Sequence, residues 1–598
     1  MRILMIILVS VAIVGAAVAS GYYLILKPRV SHPSEDTARY LPQDTSVYYS
    51  INLRPGLRQI DHAIGVFEIF KYSIEGSESY SENWTDNRFD DFEDETGIDL
   101  EEEFFPWVGP EIAVGLVDYA GYDSEVVVFL GTTDDSAVES FVESLLDYLR
   151  KEGDLEIKKS RSDGSARWSV SDEFGDISLE LAITDGYLLV STDDGLLNET
   201  ISMMDNPTAS LYDDQNFQLA RNSIADPRFS MLYFNTTALI DDVAELTDDS
   251  YDYVLDQVAD NLPGYIGISA SFFKNGIRIT QTSNSDPGKF GSASNNQVSS
   301  ADTLPVDTLV FISGIGVYEG WETLKANIDQ KLEEFNDVTG SDALDIGYDS
   351  FDELLRELEE ESGVDVDDDL FGWMRGEAAI AWLPSDITLR EYQSDLGFEE
   401  GQLQVLGIAE LVDGRARRDA KSGIPPVMDF MWGNNFEEKT ILGQKALVDE
   451  YLGYGLGYMF LEDRVVMGST TSALRRALDT DVRGRLSETE NFKLMMEESS
   501  GSPDWLMYAN LRGIIEMATG VEGDCDMARC LTELRDYVSE IGPFLAPLDM
   551  ISLTSSVNEK DRSFTVLLSV SSPETHVSNP AVGQPGVVPQ LFPSTSTP

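Results

Sequence analysis

The segment Ser362–Leu383, "SGVDVDDDLFGWMRGEAAIAWL", sets Asp365, Asp367, Asp368 and Asp369 within five residues and runs them directly into Phe371, Trp373 and an apolar strand. The segment from Thr96, "TGIDLEEEFFPWVGPEIAVGL", has the same design. Gly97, Asp99, Phe105, Trp107, Glu111 and Ala113 return, at a constant offset, as Gly363, Asp365, Phe371, Trp373, Glu377 and Ala379. An EF-hand calcium loop needs Gly at position 6 and Glu at position 12. Counted from Asp365 those positions hold Leu370 and Gly376, and counted from Asp99 they hold Phe104 and Pro110. A helix start accounts for the pattern better. Gly97 or Gly363 takes the left-handed conformation that closes the preceding helix. Asp99 or Asp365 then caps a short new one, whose first-turn acids face the positive end of its dipole. On this reading Trp107 and Trp373 are buried in equivalent places, beneath the strands that begin at Glu111 and Glu377. The rival is a loose divalent-cation site completed by acids distant in sequence.

Other stretches recur in the same order. "LPQDTSVYYSINL" from Leu41 returns as "LPVDTLVFISGIG" from Leu304, and "NFQLARNSIADPRFSMLYFN" from Asn216 as "NFKLMMEESSGSPDWLMYAN" from Asn491. Two tandem copies of one domain are expected, at 41–285 and 304–572, joined by a Gly/Ser/Asn-rich linker at 286–303 and followed by a Pro/Ser/Thr-rich tail at 573–598. Residues 29–40 read as a further linker. Within each copy, runs such as "TSVYYSINL" and "EVVVFLGTT" read as strands, whereas "SAVESFVESLLDYLRKEG" and "WETLKANIDQKLEEF" have the helical period. Asp185-Gly186 and Asn275-Gly276 mark hairpin turns. Strands joined by short turns predict an α+β fold: a mainly antiparallel sheet in each copy, with helices packed on one face.

The N-terminus carries no charge from Ile3 to Leu26, which as a helix covers about 36 Å against a hydrocarbon core of about 30 Å. The run continues through Tyr22 and Tyr23, whose rings suit an interface, and ends at Lys27 and Arg29, so residues 1–28 read as an uncleaved signal anchor that contacts the membrane through 3–26, with the large domain exported. A removable signal peptide cut after "AVAS" is the rival. Acidic residues number 107 against 41 basic ones, a net charge of −66. That field repels nucleic acid and anionic headgroups and suits a saline habitat. Cys525 and Cys530 are the only cysteines. In an exported protein they can form a local disulfide, with two free thiols as the alternative, and with no nearby His they cannot complete a zinc site.

The strand opening "LPxDT", the Gly-Ile-Asp or Gly-Val-Asp turn before an acidic stretch and Trp, and the Glu-initiated strand after it resemble a bacterial family of membrane-anchored proteins, the domain-of-unknown-function family numbered 3352. The resemblance implies an exported, single-anchor protein and carries over no catalytic residue.

The three histidines, His32, His62 and His576, fall in a linker, a helix and the tail, so a Ser-His-Asp set would rest on His62 alone. No phosphate loop, HExxH or CxxC appears, and no cofactor is implied. The expected function is an extracytoplasmic binding or scaffold protein without catalysis, its partner an envelope protein or ligand. The alternatives are a carrier or chaperone for an apolar ligand, and an envelope hydrolase using paired carboxylates.

Overall fold

The computed structural model describes residues 35–571 apart from 55–56, 76–91, 122–123, 154, 163–164, 173–177, 225–226, 247–258, 260–261, 285–297, 340–349, 385–402, 434, 450–455, 500–502, 520–546 and 558–560. The apolar segment 3–26, His32, Cys525, Cys530, His576 and the tail lie outside the described residues. Among the described residues no helix is long and apolar enough to cross a membrane.

The first ten strands are β1 (Val47–Asn52), β2 (Val108–Asp118), β3 (Glu125–Thr132), β4 (Leu155–Ser162), β5 (Ser165–Asp172), β6 (Ser178–Thr184), β7 (Tyr187–Ser191), β8 (Ser230–Asn235), β9 (Tyr265–Phe273) and β10 (Gly276–Ser283). They pair antiparallel in the order β4-β5-β6-β7-β3-β2-β1-β8-β9-β10. The next ten are β11 (Val310–Ile315), β12 (Glu377–Pro384), β13 (Leu403–Glu410), β14 (Glu437–Ile441), β15 (Gln444–Asp449), β16 (Leu456–Phe460), β17 (Arg464–Gly468), β18 (Trp505–Asn510), β19 (Leu548–Val557) and β20 (Arg562–Val570). Their order, β14-β15-β16-β17-β13-β12-β11-β18-β19-β20, follows the first strand for strand. β10 and β20, the last strand of each set, pair antiparallel from Gly276↔Ser569 to Ser283↔Arg562. Among the described residues the result is one sheet of 20 strands.

The alternation of side chains explains the layers, and it corrects the expectation of helices on one face. Val127 and Phe129 of β3 pack with residues of the helices Asp194–Asp205 and Gln215–Ser223. Val128 and Leu130 pack on the other side with Val138, Phe141, Val142 and Leu146 of the helix Asp135–Glu152. The second half does the same. Leu406 and Ile408 join the helices Thr471–Leu478 and Glu490–Glu498, whereas Ala409 and Val465 join the helix Gly414–Trp432. A strand such as "EVVVFLGT" is apolar at consecutive positions because both of its faces are covered. The helices start on matched caps: Asp134 and Asp413, Asp193 and Thr470, and Asp214 and Thr489 each accept backbone N–H groups of the following turn.

Asp185 and Gly186, at φ 47° and 79°, form the turn between β6 and β7. At the second hairpin the turn residues are Lys274 and Asn275, one position earlier than expected, and Gly276 already faces Phe273 in the ladder. The glycine serves close packing there. A Cβ would lie 2.2 Å from the Phe273 ring and 2.5 Å from the Leu568 carbonyl oxygen of β20.

Candidate functional site

Both acidic segments begin a helical turn. Gly97 and Gly363 adopt φ 72° and 70°, and their N–H groups bond Glu93 O and Glu359 O at 2.7 Å, closing the preceding helices. Asp99 accepts from the N–H of Glu101 at 2.8 Å and Glu102 at 3.1 Å, and Asp365 from that of Asp368 at 2.9 Å. Each turn is a single wide one, Leu100–Phe104 and Val366–Phe371. The chain then reverses into a tryptophan that is 1% exposed in both halves. Trp107 Nε1 donates to Glu103 O at 2.6 Å and Trp373 Nε1 to Asp369 O at 2.9 Å. The indole thus uses its one donor on a carbonyl that the short helix leaves free. The acids diverge. Asp367 receives Trp321 Nε1 at 2.5 Å and Lys325 Nζ at 2.7 Å, while Asp369 Oδ2 receives Asp365 N at 3.1 Å. Among the described residues no three His, Cys, Asp or Glu side chains are grouped to hold a metal ion.

A few residues on, each half buries a carboxylic acid. Glu111 is 1% and Glu377 2% exposed, and each sits on the strand that follows its tryptophan. Thr37 Oγ1 donates to Glu111 Oε1 at 3.0 Å, Tyr48 Oη donates to the same oxygen at 3.3 Å, and the two hydroxyls lie 2.8 Å apart. Oε2 is buried without a hydrogen-bond partner among the described residues. Burial pushes this carboxyl up to about 8; the Thr37 hydroxyl opposes the shift, and the charges of Glu35 and Asp36 add to it. Glu377 meets five donors instead. Oε2 accepts from Ser299 N at 2.6 Å, Ser299 Oγ at 3.0 Å and Ser300 N at 2.9 Å, and Oε1 accepts from Ser313 Oγ at 2.6 Å and from Ser300 Oγ.

Tyr48 and Ser313 belong to β1 and β11, but the other donors, Thr37, Ser299 and Ser300, come from stretches read as linkers in sequence, and here the reading is corrected. Thr37 and Ala38, and Ser300 and Ala301, are buried in short turns at Asp36–Tyr40 and Ser300–Asp302. Cations fasten those turns. Glu35, at φ 65°, pairs with Arg228 at 3.2 Å and Arg221 at 3.1 Å, and Arg464 Nη1 donates to Ser299 O at 3.2 Å and Thr303 Oγ1 at 2.6 Å. The buried acids therefore anchor the segment that enters each half. His62 lies against the end of β9, its Nδ1 3.3 Å from Phe272 O. Its neighbour Gln59 completes that strand by bonding both the N–H and the C=O of Phe272 at 2.7 Å.

Sequence reasoning missed a second feature, the inverted faces of the central strands. Ser269, Ser271, Thr280, Thr282, Ser563, Thr565, Ser552 and Thr554 point to the buried face. Their small size lets helices approach: a Cβ on Gly267 would lie 3.0 Å from Ala220 of the helix Gln215–Ser223. The apolar partners in the alternation point the other way. Ile279, Val566, Leu553, Met507, Ile312 and Ile380 are register neighbours on β10, β20, β19, β18, β11 and β12. Ile277, Leu568, Ile551, Ala509, Val310 and Trp382 form a second row beside them. Ile279, Ile380 and Ile551 are 43%, 38% and 36% exposed, and Val566, Leu553, Met507 and Ile312 are half-buried. Toward the other end of β20 the same face carries Phe564, whose register neighbours are Gln281 and the buried Ser555, with Trp505 next in the row and Arg562 beyond Phe564. The pattern I-x-I-x-A-x-F in β9 was available as a signal, but alternation alone does not say which side is covered.

Fold and site together define an α+β protein with one antiparallel sheet, a buried acid fastening the entry to each half, and an apolar face along the middle. The chain belongs to the family described as "Protein of unknown function (DUF3352)", whose model matches residues 6–570. No curated protein matches it. Among solved structures it is similar to TP0453: crystal form IV is 10% identical, with 41% of this chain and 79% of that chain covered at a TM-score of 0.23. Crystal form III is 11% identical, with 44% and 83% covered and the same TM-score of 0.23. Likeness at that level says nothing about function.

Proposed function

We propose that the protein is a membrane-tethered, exported binding protein without catalysis, built from two tandem copies of a ten-stranded unit, and that it takes an apolar ligand on the central sheet face. The observation that carries the reading is the half-open apolar surface across β10, β20, β19, β18, β11 and β12, since contiguous exposed apolar surface on a soluble domain marks a site of interaction. It moves the carrier reading ahead of a scaffold for an envelope protein. The shared strand order, matched caps and paired tryptophans support the duplication, and the uncharged segment 3–26 supports the tether. Native mass spectrometry of the full chain isolated in mild detergent tests the reading. A stoichiometric apolar adduct is expected from the wild type and not from Ile279→Asp. An adduct-free wild type that cleaves cell-wall glycans, with the activity lost on a single Asp or Glu substitution, would instead establish a hydrolase.

A further inference from the structure

The two halves treat one pair of positions oppositely. Arg476 stands six residues after Thr470, the cap of the helix Thr471–Leu478, and Glu199 stands six after Asp193, the cap of the helix Asp194–Asp205. Asp307 and Asp44 are likewise counterparts, each the aspartate of the recurring stretch Leu-Pro-x-Asp-Thr. In the second half the Arg476 side chain is 1% exposed, and its guanidinium donates to Asp307 Oδ2 at 2.5 Å and to the carbonyl oxygen of Pro384 at the end of β12. The first half keeps the carboxylate and replaces the cation with an acid. Asp118, at the end of β2, stands where Pro384 does. Asp44 and Glu199 are both exposed, and neither is in an ion pair among the described residues. They line one open cleft of about 740 Å³, together with the polar side chains of Gln43, Ser202, Asn206 and Thr208. In the second half the shorter loop 481–484 is drawn onto the same place, Val306 N donating to Gly484 O at 3.1 Å. The acids act as one field. Burial, with the charges of Asp193, Asp118 and Glu199, holds the nearby Glu125 carboxyl above the usual carboxylate range.

We propose that the cleft of the first half binds an alkylguanidinium between Asp44 and Glu199, the group that the second half carries within its own chain. Net charge alone would draw any cation, but a guanidinium holds its donors in a plane and reaches two acceptors at once, as Arg476 does. A free arginine-like molecule and the arginine side chain of a peptide bring the same group. Calorimetric titration of the full chain in neutral detergent, at about 0.15 M salt where charge is screened beyond about 8 Å, compares agmatine, a blocked Gly-Arg-Gly peptide and its Gly-Lys-Gly equivalent. One site per chain is expected for a guanidinium probe, with the lysine peptide at least tenfold weaker. Tighter binding of the arginine peptide than of agmatine would assign the site to a protein partner, and the reverse to a small molecule; either upholds the proposal. Asp44→Asn and Glu199→Gln should each weaken binding at least fivefold, and Glu101→Gln, at an exposed position in the acidic turn, should not. Glu199→Arg, whose exposed position spares folding, supplies the group internally and should abolish binding. No binding of either guanidinium probe, equal affinity for the lysine peptide, several weak sites per chain, or unchanged affinity in Asp44→Asn would each overturn the inference. The apolar-ligand reading stands or falls separately, on its own adduct.

Discussion

Glu111 and Glu377 stand at matching positions, yet their surroundings predict opposite responses to the same substitution. The unfolded glutamate titrates near 4.5, and the folded Glu111 near 8. Below about pH 4.5 both states hold the proton. Between these values only the folded state keeps it, so stability falls as pH rises and levels off above about 8. Glu111→Gln removes that penalty, because the amide oxygen can take the place of Oε1 while its nitrogen takes the place of the acid's O–H. Thermal melts should show the variant more stable than wild type at pH 8, on the order of a few kcal/mol, with the gap closing toward pH 4.5. A gap that does not change with pH would reject the argument. In Glu377→Gln the new N–H2 must face Ser and backbone donors, so a loss of about 2 kcal/mol or more is expected in the same assay. Trp373→Ala, at a site 1% exposed, should cost about 3 to 5 kcal/mol in denaturant unfolding. The sequence marked both acids because they recur. It could not show what they touch, since Glu111 reaches back 74 residues to Thr37 and Glu377 reaches 78 to Ser299.

At the scale of the element, the helix Gly414–Trp432 lies against the acidic turn Val366–Phe371 more tightly than composition suggests. A Cβ on Gly423 would sit 2.4 Å from the carbonyl oxygen of Asp369 and 2.7 Å from its Cα. Backbone cannot yield as a side chain can, so Gly423→Ala should destabilise by about 1 to 3 kcal/mol despite alanine's better helix propensity. An unchanged urea midpoint would show that the helix can move away. Helices, caps and the two acidic turns were legible because each is set by residues a few positions apart: Asp99 and Asp365 by spacing, Gly97 and Gly363 by their left-handed backbone. Asp367 was not. It reads as one more first-turn acid, but it receives Trp321 and Lys325 from a helix more than 40 residues earlier. Its removal should therefore cost more than that of Asp368, whose backbone N–H, rather than its side chain, bonds the capping Asp365.

For the molecule as a whole, the decisive contact is β10 with β20, and nothing local announces it. Two recurring sets of strands predict two sheets, and only the pairing of their last strands fuses them. A buried polar cluster secures the junction: Asp561 receives Tyr265 Oη at 2.8 Å and Ser223 Oγ at 3.0 Å from the other half. Asp561→Ala leaves the buried Tyr265 hydroxyl without that acceptor, at about 1 to 3 kcal/mol, and the half-buried Ser223 hydroxyl at less. If the junction couples the halves, calorimetry should change from one unfolding transition in the wild type to two in the variant. Two transitions in the wild type would show that the halves fold independently.

The place of β20 has a mechanical consequence. The last strand among the described residues is among the most interior in space, hydrogen-bonded to β10 on one side and β19 on the other. Tension applied between Glu35 and Ser571 cannot unzip this sheet from a free margin. It must slide β20 between two neighbours, loading both ladders in shear at once. In single-molecule pulling the first rupture should therefore need high force and release much of the chain together, so the sheet behaves as a clamp rather than as a series of hairpins that yield one by one.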